Sequence, residues 1–302
     1  MKALAEFVMR GPVNAGAVAA ATLLLGLVVA PFAWLSAAVI ALVALRLGGF
    51  ATLRVAVPAL LGVALAGALV TGQGVAIGVS GLIAWLPAAI LALVLRQRVR
   101  LDDTLLVACA IGWVLVLGTY LFVEDPTGLW RDLLQRMMPP ETMAARFDLS
   151  AEAVRQMIDT MAPLMTGLVA MSAVFSAITS LLLARWWQSL LYNPGGFRQE
   201  FHALRLSPAF AVICVAIMVG GSLIGLNPML VGWSGGLPLL LAALALVHGV
   251  VGRKGLSGQW LVAFYLALVF LGPSLMIVLL VLAFVDSWLD IRGRIKPAGP
   301  AE

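Results

Sequence analysis

The side chains of this chain that could do chemistry are few, and nearly all stand at the ends of apolar runs. His248, in Leu246-Val247-His248-Gly249-Val250-Val251, is the ionisable residue set deepest in such a run, one turn before Arg253. An imidazole there could titrate near neutral pH or hold a ligand. The plainer reading is a histidine hydrogen-bonded to a neighbouring helix; His202 reads as simply solvated. Asp286 and Asp290 are four apart and share a helical face. Carboxylates near a helix C-terminus oppose the macrodipole, so they require cations, and Arg294 with the Arg253-Lys254 turn is the expected source. The outcome would be a charge network fixing the last helix to the inner rim, with a metal or phosphate site as the rarer alternative. Ser172, Ser176 and Ser180 recur at i, i+4, i+8 with Thr179 beside them. Such a stripe is usually a close-packing surface, as are the GxxxG pairs Gly74/Gly78 and Gly221/Gly225; otherwise it would line a cavity for a small polar molecule.

No HExxH, Walker A or CxxC sequence occurs. Intramembrane hydrolysis needs a nucleophile with a base, or paired aspartates at depth, so an enzyme is not expected. Cys109 and Cys214 lie in separate apolar runs and read as small hydrophobes. No histidine accompanies them, so neither a metal site nor a cofactor is expected.

The elements positioning these residues follow from composition. Of 302 residues, 63% are hydrophobic and 11% charged, with a mean hydropathy of +1.07. A soluble domain is about half apolar and about a quarter charged, so the solvent for most side chains is lipid. The expected fold is all-α: a polytopic transmembrane helical bundle of about 8 to 10 spans, short or broken helices included. Candidate spans are 14–30, 32–45, 55–71, 82–95, 104–123, 161–184, 209–226 and 237–251. The apolar stretch 259–285 would make one helix ~40 Å long, and Leu271-Gly272-Pro273-Ser274 interrupts it, so two short helices in a hairpin fit better. The glycine-rich stretch 72–81 reads as a tight outer turn. The whole is one membrane domain, 1–302: five spans in 1–123, an outer segment 124–160, further spans in 161–291 and a cytoplasmic tail 292–302. A retained first span fits the N-terminus better than a cleaved leader.

Charge gives orientation. With the N-terminus inside and ten crossings, 15 of the 19 lysines and arginines face the cytoplasm; nine crossings give 12 against 7. The first has the stronger positive-inside bias and puts both termini in the cytoplasm. Net charge is +5, but no basic face interleaved with aromatics suggests nucleic acid; the expected partner is the lipid bilayer, with other membrane proteins as further candidates. The outer segment carries seven acids and four arginines. Trp130, Leu133, Leu134 and Met137 mark one amphipathic helix ended by Pro139-Pro140. Ser150 is the N-cap of a second, with Val154, Met157, Ile158 and Met161 on its face.

The longest inner loop, RWWQSLLYNPGGFRQEFHALRLSP, places Trp186, Trp187 and Tyr192 at the membrane interface. A sharp turn follows at Asn193-Pro194-Gly195-Gly196, then a short helix bearing Phe197, Phe201, Leu204 and Leu206. This loop and the C-terminal DSWLDIRGR resemble the YybS-like family of bacterial multi-span membrane proteins, a class without settled activity. The resemblance is most specific at Asn193, Pro194, Gly195, Gly196, Phe197, Glu200 and Phe201, and at Asp286, Trp288, Asp290 and Arg292. More remotely the chain is similar to the substrate-binding components of energy-coupling-factor transporters and to MreD. The resemblance implies a bacterial inner (cytoplasmic) membrane protein and brings no catalytic residues. Two functions are therefore expected: a transport-related or small-molecule-binding protein, using some of Ser172, Ser176, Thr179, Ser180 and His248, or a non-transporting scaffold or envelope-assembly partner.

Overall fold

In hydrocarbon a backbone can satisfy its own polar groups only as helices or a closed barrel, and the described residues of the apolar runs fold as helices. The computed structural model describes residues 1–223 and 227–295. A short α1 (Lys2–Met9) precedes α2 (Pro12–Gly26), α3 (Pro31–Leu47), α4 (Gly49–Thr71), α5 (Gly74–Arg98) and α6 (Leu101–Phe122). Three short helices follow, α7 (Pro126–Met137), α8 (Pro140–Phe147) and α9 (Ala151–Met161). A 3-10 turn, Ala162–Leu164, leads into α10 (Met165–Tyr192). Then come α11 (Gly196–Ala203), α12 (Pro208–Leu223), α13 (Pro228–Arg253), α14 (Gln259–Leu289) and α15 (Ile291–Arg294). Pro12, Pro31, Pro126, Pro140 and Pro208 each open a helix, where the missing N–H costs nothing. The molecule is an all-α, multi-pass transmembrane bundle.

Among the described residues, six helices are each long and apolar enough to cross a membrane: α4, α5, α6, the α9–α10 run, α13 and α14; α11 and α12 qualify together across a 63° bend. α2 and α3 are shorter and form a tight hairpin, in which a Cβ on Gly26 would stand 2.7 Å from the Ala33 nitrogen.

α14 doubles back. Gly272, at φ 49° and ψ −124°, breaks it ahead of Pro273. A straight helix would set Leu289 ~36 Å from Tyr265. Yet the Tyr265 hydroxyl lies 2.9 Å from His248 Nε2, while the Arg292 side chain packs on the adjacent Gly249. Both ends therefore reach the same face of the bundle, as the hairpin reading expected.

The core sits around α3, buried without interruption from Ser36 to Leu45 between α2, α4, α5 and α10. Its one polar side chain in that run is satisfied: Ser36 Oγ donates to the Ala19 carbonyl at 2.6 Å and accepts from Trp85 Nε1 at 2.8 Å. α10 is the shared spine, packing on α3, α5, α6 and α13.

Several expectations change. Gly74–Gly81 is the start of α5, and the turn shrinks to Gly72-Gln73. These glycines are packing notches: a Cβ on Gly74 would meet the Ala64 carbonyl at 2.4 Å, and one on Gly78 the Ala64 Cβ at 3.2 Å. The second pair, Gly221/Gly225, includes a residue outside the described ones, as does the tail beyond 295. The outer segment holds three helices, because Pro140 starts α8 as well as stopping α7. Ser150 caps α9, accepting from the Ala153 amide at 3.0 Å. Val154 and Ile158 are buried against Leu134 and Ala162, whereas Met137, Met157 and Leu133 point outward. Trp130 Nε1 donates to Thr166 Oγ1 on α10, tying this cap to the bundle.

Candidate functional site

One face of the bundle gathers the ends of α3, α5, α10, α13 and α14 with the starts of α4 and α6, and its arginines. The tenth helix ends at Asn193, whose carbonyl accepts from the Gly196 amide at 3.0 Å. Gly195 takes φ +85°, a left-handed geometry that glycine adopts without strain. The expected sharp turn is thus present, and it lays α11 across this face. The short helix stops at Ala203; Leu204 and Leu206 lie beyond it and are buried as extended chain. Glu200 clamps α11 to α10 by a two-pronged pair with Arg185.

The C-terminal motif closes on the same loop. Asp286 and Arg292 form a buried ion pair at 2.7 Å. Arg292 also donates to the carbonyls of His202 and Leu204. The chain can place two residues six apart in contact because Asp290 adopts φ +45° and turns α15 back. The expected Asp290–Arg294 pair is not made: Arg294 donates to the Leu289 carbonyl, and Asp290 caps Gly293 and faces Arg205 at 3.4 Å. The turn in α14's last residues carries Arg294 off the helical face it would share with Asp290. No ion pair joins Arg253 or Lys254 to either aspartate among the described residues. Trp288 is exposed.

Sequence reasoning missed most of what lies between. Val99, a β-branched residue, sits at φ 56°, a conformation costing ~1–2 kcal/mol, and makes the whole connection between α5 and α6 with Arg100. Arg96 reaches back to the Leu45 carbonyl at 3.1 Å, and Arg46 lies 4.2 Å over the Tyr192 ring. A cleft of about 570 Å³ is framed by Arg96, Arg100, Asp102, Arg185, Glu200 and Arg205. A second, of about 780 Å³, shares Ala203 and Arg205 with it and adds Arg198, His202, Arg253 and Arg292. Together they form one trough of seven arginines and three acids, Asp102, Glu200 and Asp290. Arg96, Arg198 and Arg253 have no acidic partner among the described residues. Arg100 is occupied by Asp102, and that hydrogen bond raises its pKa.

Under the trough runs an aromatic groove of about 500 Å³, lined by Trp186, Phe197, Phe201, His248 and Tyr265 among others. Phe197 stacks on Phe201, which meets His248 edge-on, with ring centres 5.9 and 5.6 Å apart. His248 is thus held by Tyr265 of the neighbouring helix. His202, expected to be solvated, is half-buried 6.2 Å from His248; burial first, then Arg198, His248 and Arg292, lower its pKa. Trp187, expected at the interface, is fully buried. α10 continues past it to Tyr192, so it faces the core one turn inside the rim.

The hydroxyl stripe does not converge. Ser172 is exposed, Ser176 and Thr179 partly buried, and Ser180 fully buried with no partner for Oγ among the described residues. Successive i+4 steps drift ~40° around a helix, so Ser172 and Ser180 point ~80° apart. None of the four lines the clefts described above. Cys109 and Cys214 are buried and free on either side of one turn of α13, where Cys109 Sγ donates to the Ser234 carbonyl at 3.2 Å. A void on α6 between Thr104, Ile178 and Leu241 is about 10 Å³, roughly one water.

Neither a protein-family model, a curated protein nor a solved structure matches the chain.

Proposed function

We propose that this is a multi-pass protein of the bacterial inner membrane, with its arginine-rich face and both ends in the cytoplasm, that binds a phosphate-bearing small molecule in the arginine trough. The observation carrying the binding reading is the trough itself, where Arg96, Arg198 and Arg253 stand among paired charges without an acid to neutralise them. Guanidinium groups match phosphate oxygens in charge and in the spacing of their donors. The orientation rests on the charge bias: the opposite face carries α7–α9 with its excess of acids. The NPGGF loop and DSWLDIR segment that suggest a YybS-like relationship both lie at this trough.

Two measurements test the reading. Reporter tags fused after residues 98 and 140 should fall in opposite compartments, the first in the cytoplasm; both on one side would reject the orientation. Pyrophosphate titrated into the detergent-solubilised protein should bind, and Arg96→Gln with Arg198→Gln and Arg253→Gln should weaken it at least tenfold. Equal binding by the triple variant would reject the trough as the site.

A second reading, a non-transporting scaffold or envelope-assembly partner, is favoured by the apolar side chains left bare on the acidic face: Met137, Phe147 and Leu149. It expects partner proteins to copurify under mild solubilisation and to be lost when Met137, Phe147 and Leu149 are replaced by serine. Purification without any partner would count against it.

A further inference from the structure

We infer that the occupant of the trough's α11–α13 end is a membrane phospholipid with an anionic headgroup, held with its phosphate among Arg198, Arg253 and His202 and its chains along the aromatic groove. The inference rests on the anion-binding reading and narrows it to an amphiphile.

The two cavities are one continuous site. The polar cleft and the aromatic groove share Gly195, Arg198, His202 and Gly252. Above that shared rim the walls are charged: Arg198, Arg205, Arg253 and Arg292, with Asp290 the one acid. Below it they are apolar: Leu182, Leu190, Phe197, Phe201, Leu261 and Tyr265. A free phosphate would use the upper part alone, and an apolar molecule the lower part alone; a phospholipid has both halves in this order. The rim is opened by glycine. A Cβ on Gly252 would stand 2.7 Å from His202 Cε1 and 3.5 Å from the Arg198 guanidinium, so any side chain there presses into the junction.

Specificity must come from the headgroup. Bilayer hydrocarbon is as apolar as the groove, so chain burial fixes position and adds little preference. Each cation near an anionic headgroup contributes about 1 kcal/mol. Two cations without acidic partners, Arg198 and Arg253, then give a preference for an anionic over a zwitterionic lipid of on the order of 30-fold.

Delipidated full-length protein, titrated with dioleoyl phosphatidylglycerol or dioleoyl phosphatidylcholine and read by native mass spectrometry, tests this. The expected result is one tight phosphatidylglycerol per chain, preferred by about tenfold or more over phosphatidylcholine, and not displaced by millimolar sn-glycerol 3-phosphate. Arg198→Gln with Arg253→Gln, both on the exposed rim, should erase the preference without altering the melting temperature of the lipid-free protein. Gly252→Leu should cut lipid occupancy while leaving pyrophosphate binding at the Arg96 end. Pyrophosphate binding without any preference between the two lipids overturns the lipid inference and leaves the anion-binding reading standing. Displacement by sn-glycerol 3-phosphate likewise shows a free-phosphate site. Binding of neither lipid nor pyrophosphate overturns both.

Discussion

Replacing Asp286 by alanine strands a guanidinium inside the protein. Arg292 is 6% exposed and Asp286 2%. Their pair at 2.7 Å is supplemented by the His202 and Leu204 carbonyls on the arginine and by the Ile291 amide, 2.8 Å from Oδ1, on the aspartate. An exposed pair is worth ~0.2–1 kcal/mol, but removing one member of a buried pair costs ~3–5 kcal/mol because the other charge is left desolvated. The lost amide bond adds ~1 kcal/mol. Asp286→Ala is therefore expected to destabilise by about 4–6 kcal/mol. Arg292→Met should cost a similar amount, since it orphans a carboxylate and two carbonyls. Asp286→Leu with Arg292→Met removes both charges and should cost well under the sum of the single changes, giving a coupling of at least ~2 kcal/mol. Unfolding in mild detergent followed by tryptophan fluorescence measures the stabilities. Limited proteolysis near 290–295 should report release of the last turn in the single variants. A cost below ~1 kcal/mol for Asp286→Ala, or additivity of the pair, would refute the claim that this contact fixes the end of α14 to the inner loop.

Three further outcomes are expected. Ser36→Ala should cost ~1–3 kcal/mol by orphaning the buried Trp85 indole N–H, and Trp85→Phe in the same background should recover part of the loss in the same unfolding assay. Gly112→Leu should destabilise by ~1–3 kcal/mol through overpacking, because a Cβ there would stand 2.0 Å from the Trp233 ring; Gly118→Leu, with nothing within 4 Å, should be close to neutral. His202 ordinarily titrates at 6.5, and its folded value is lowered. Below 6.5 the unfolded chain takes up the proton that the folded one resists, so stability present above pH 6.5 is lost as pH falls toward the folded value. His202→Gln should flatten that slope in melting curves taken from pH 7.5 to 5, and an unchanged slope would exclude it as a source.

What the sequence made legible were features governed by local chemistry: the apolar bands, the Ser150 cap, the Asn193–Gly196 turn and the break at Gly272. Each depends on a residue whose backbone or side chain acts on its immediate neighbours. The misses share a different origin. Gly74–Gly81 looked like a turn because glycine usually loosens a helix in water, whereas here close packing on α4 makes its small size useful. Val99 carries no turn signal at all; the paired ends of α5 and α6 hold it in its strained conformation. Trp187 was assigned to the interface by residue type, but helix phase decided its place. The trough was least legible, since its arginines come from five separated segments and read individually as orientation signals. Only when the α11 loop and the α14 hairpin converge do Arg198, Arg205, Arg253 and Arg292 become neighbours. The Asp286–Arg292 pair was half visible: the aspartates were flagged, but the partner depended on the left-handed turn at Asp290.

The fold-back at Gly272 also bears on the bilayer itself. Its arms, 259–271 and 273–289, extend only ~20 and ~26 Å along a helix axis, against ~30 Å of hydrocarbon, and α2 at 15 residues reaches ~22 Å. The tips carrying Phe270 and Leu271, both bare, stop short of the far headgroups. Lipids beside the first and last parts of the chain must therefore dip inward to keep those tips dry. Such thinning costs fractions of a kcal/mol per Å, so the protein is expected to collect in thinner patches of membrane and to leave a dimple that travels with it.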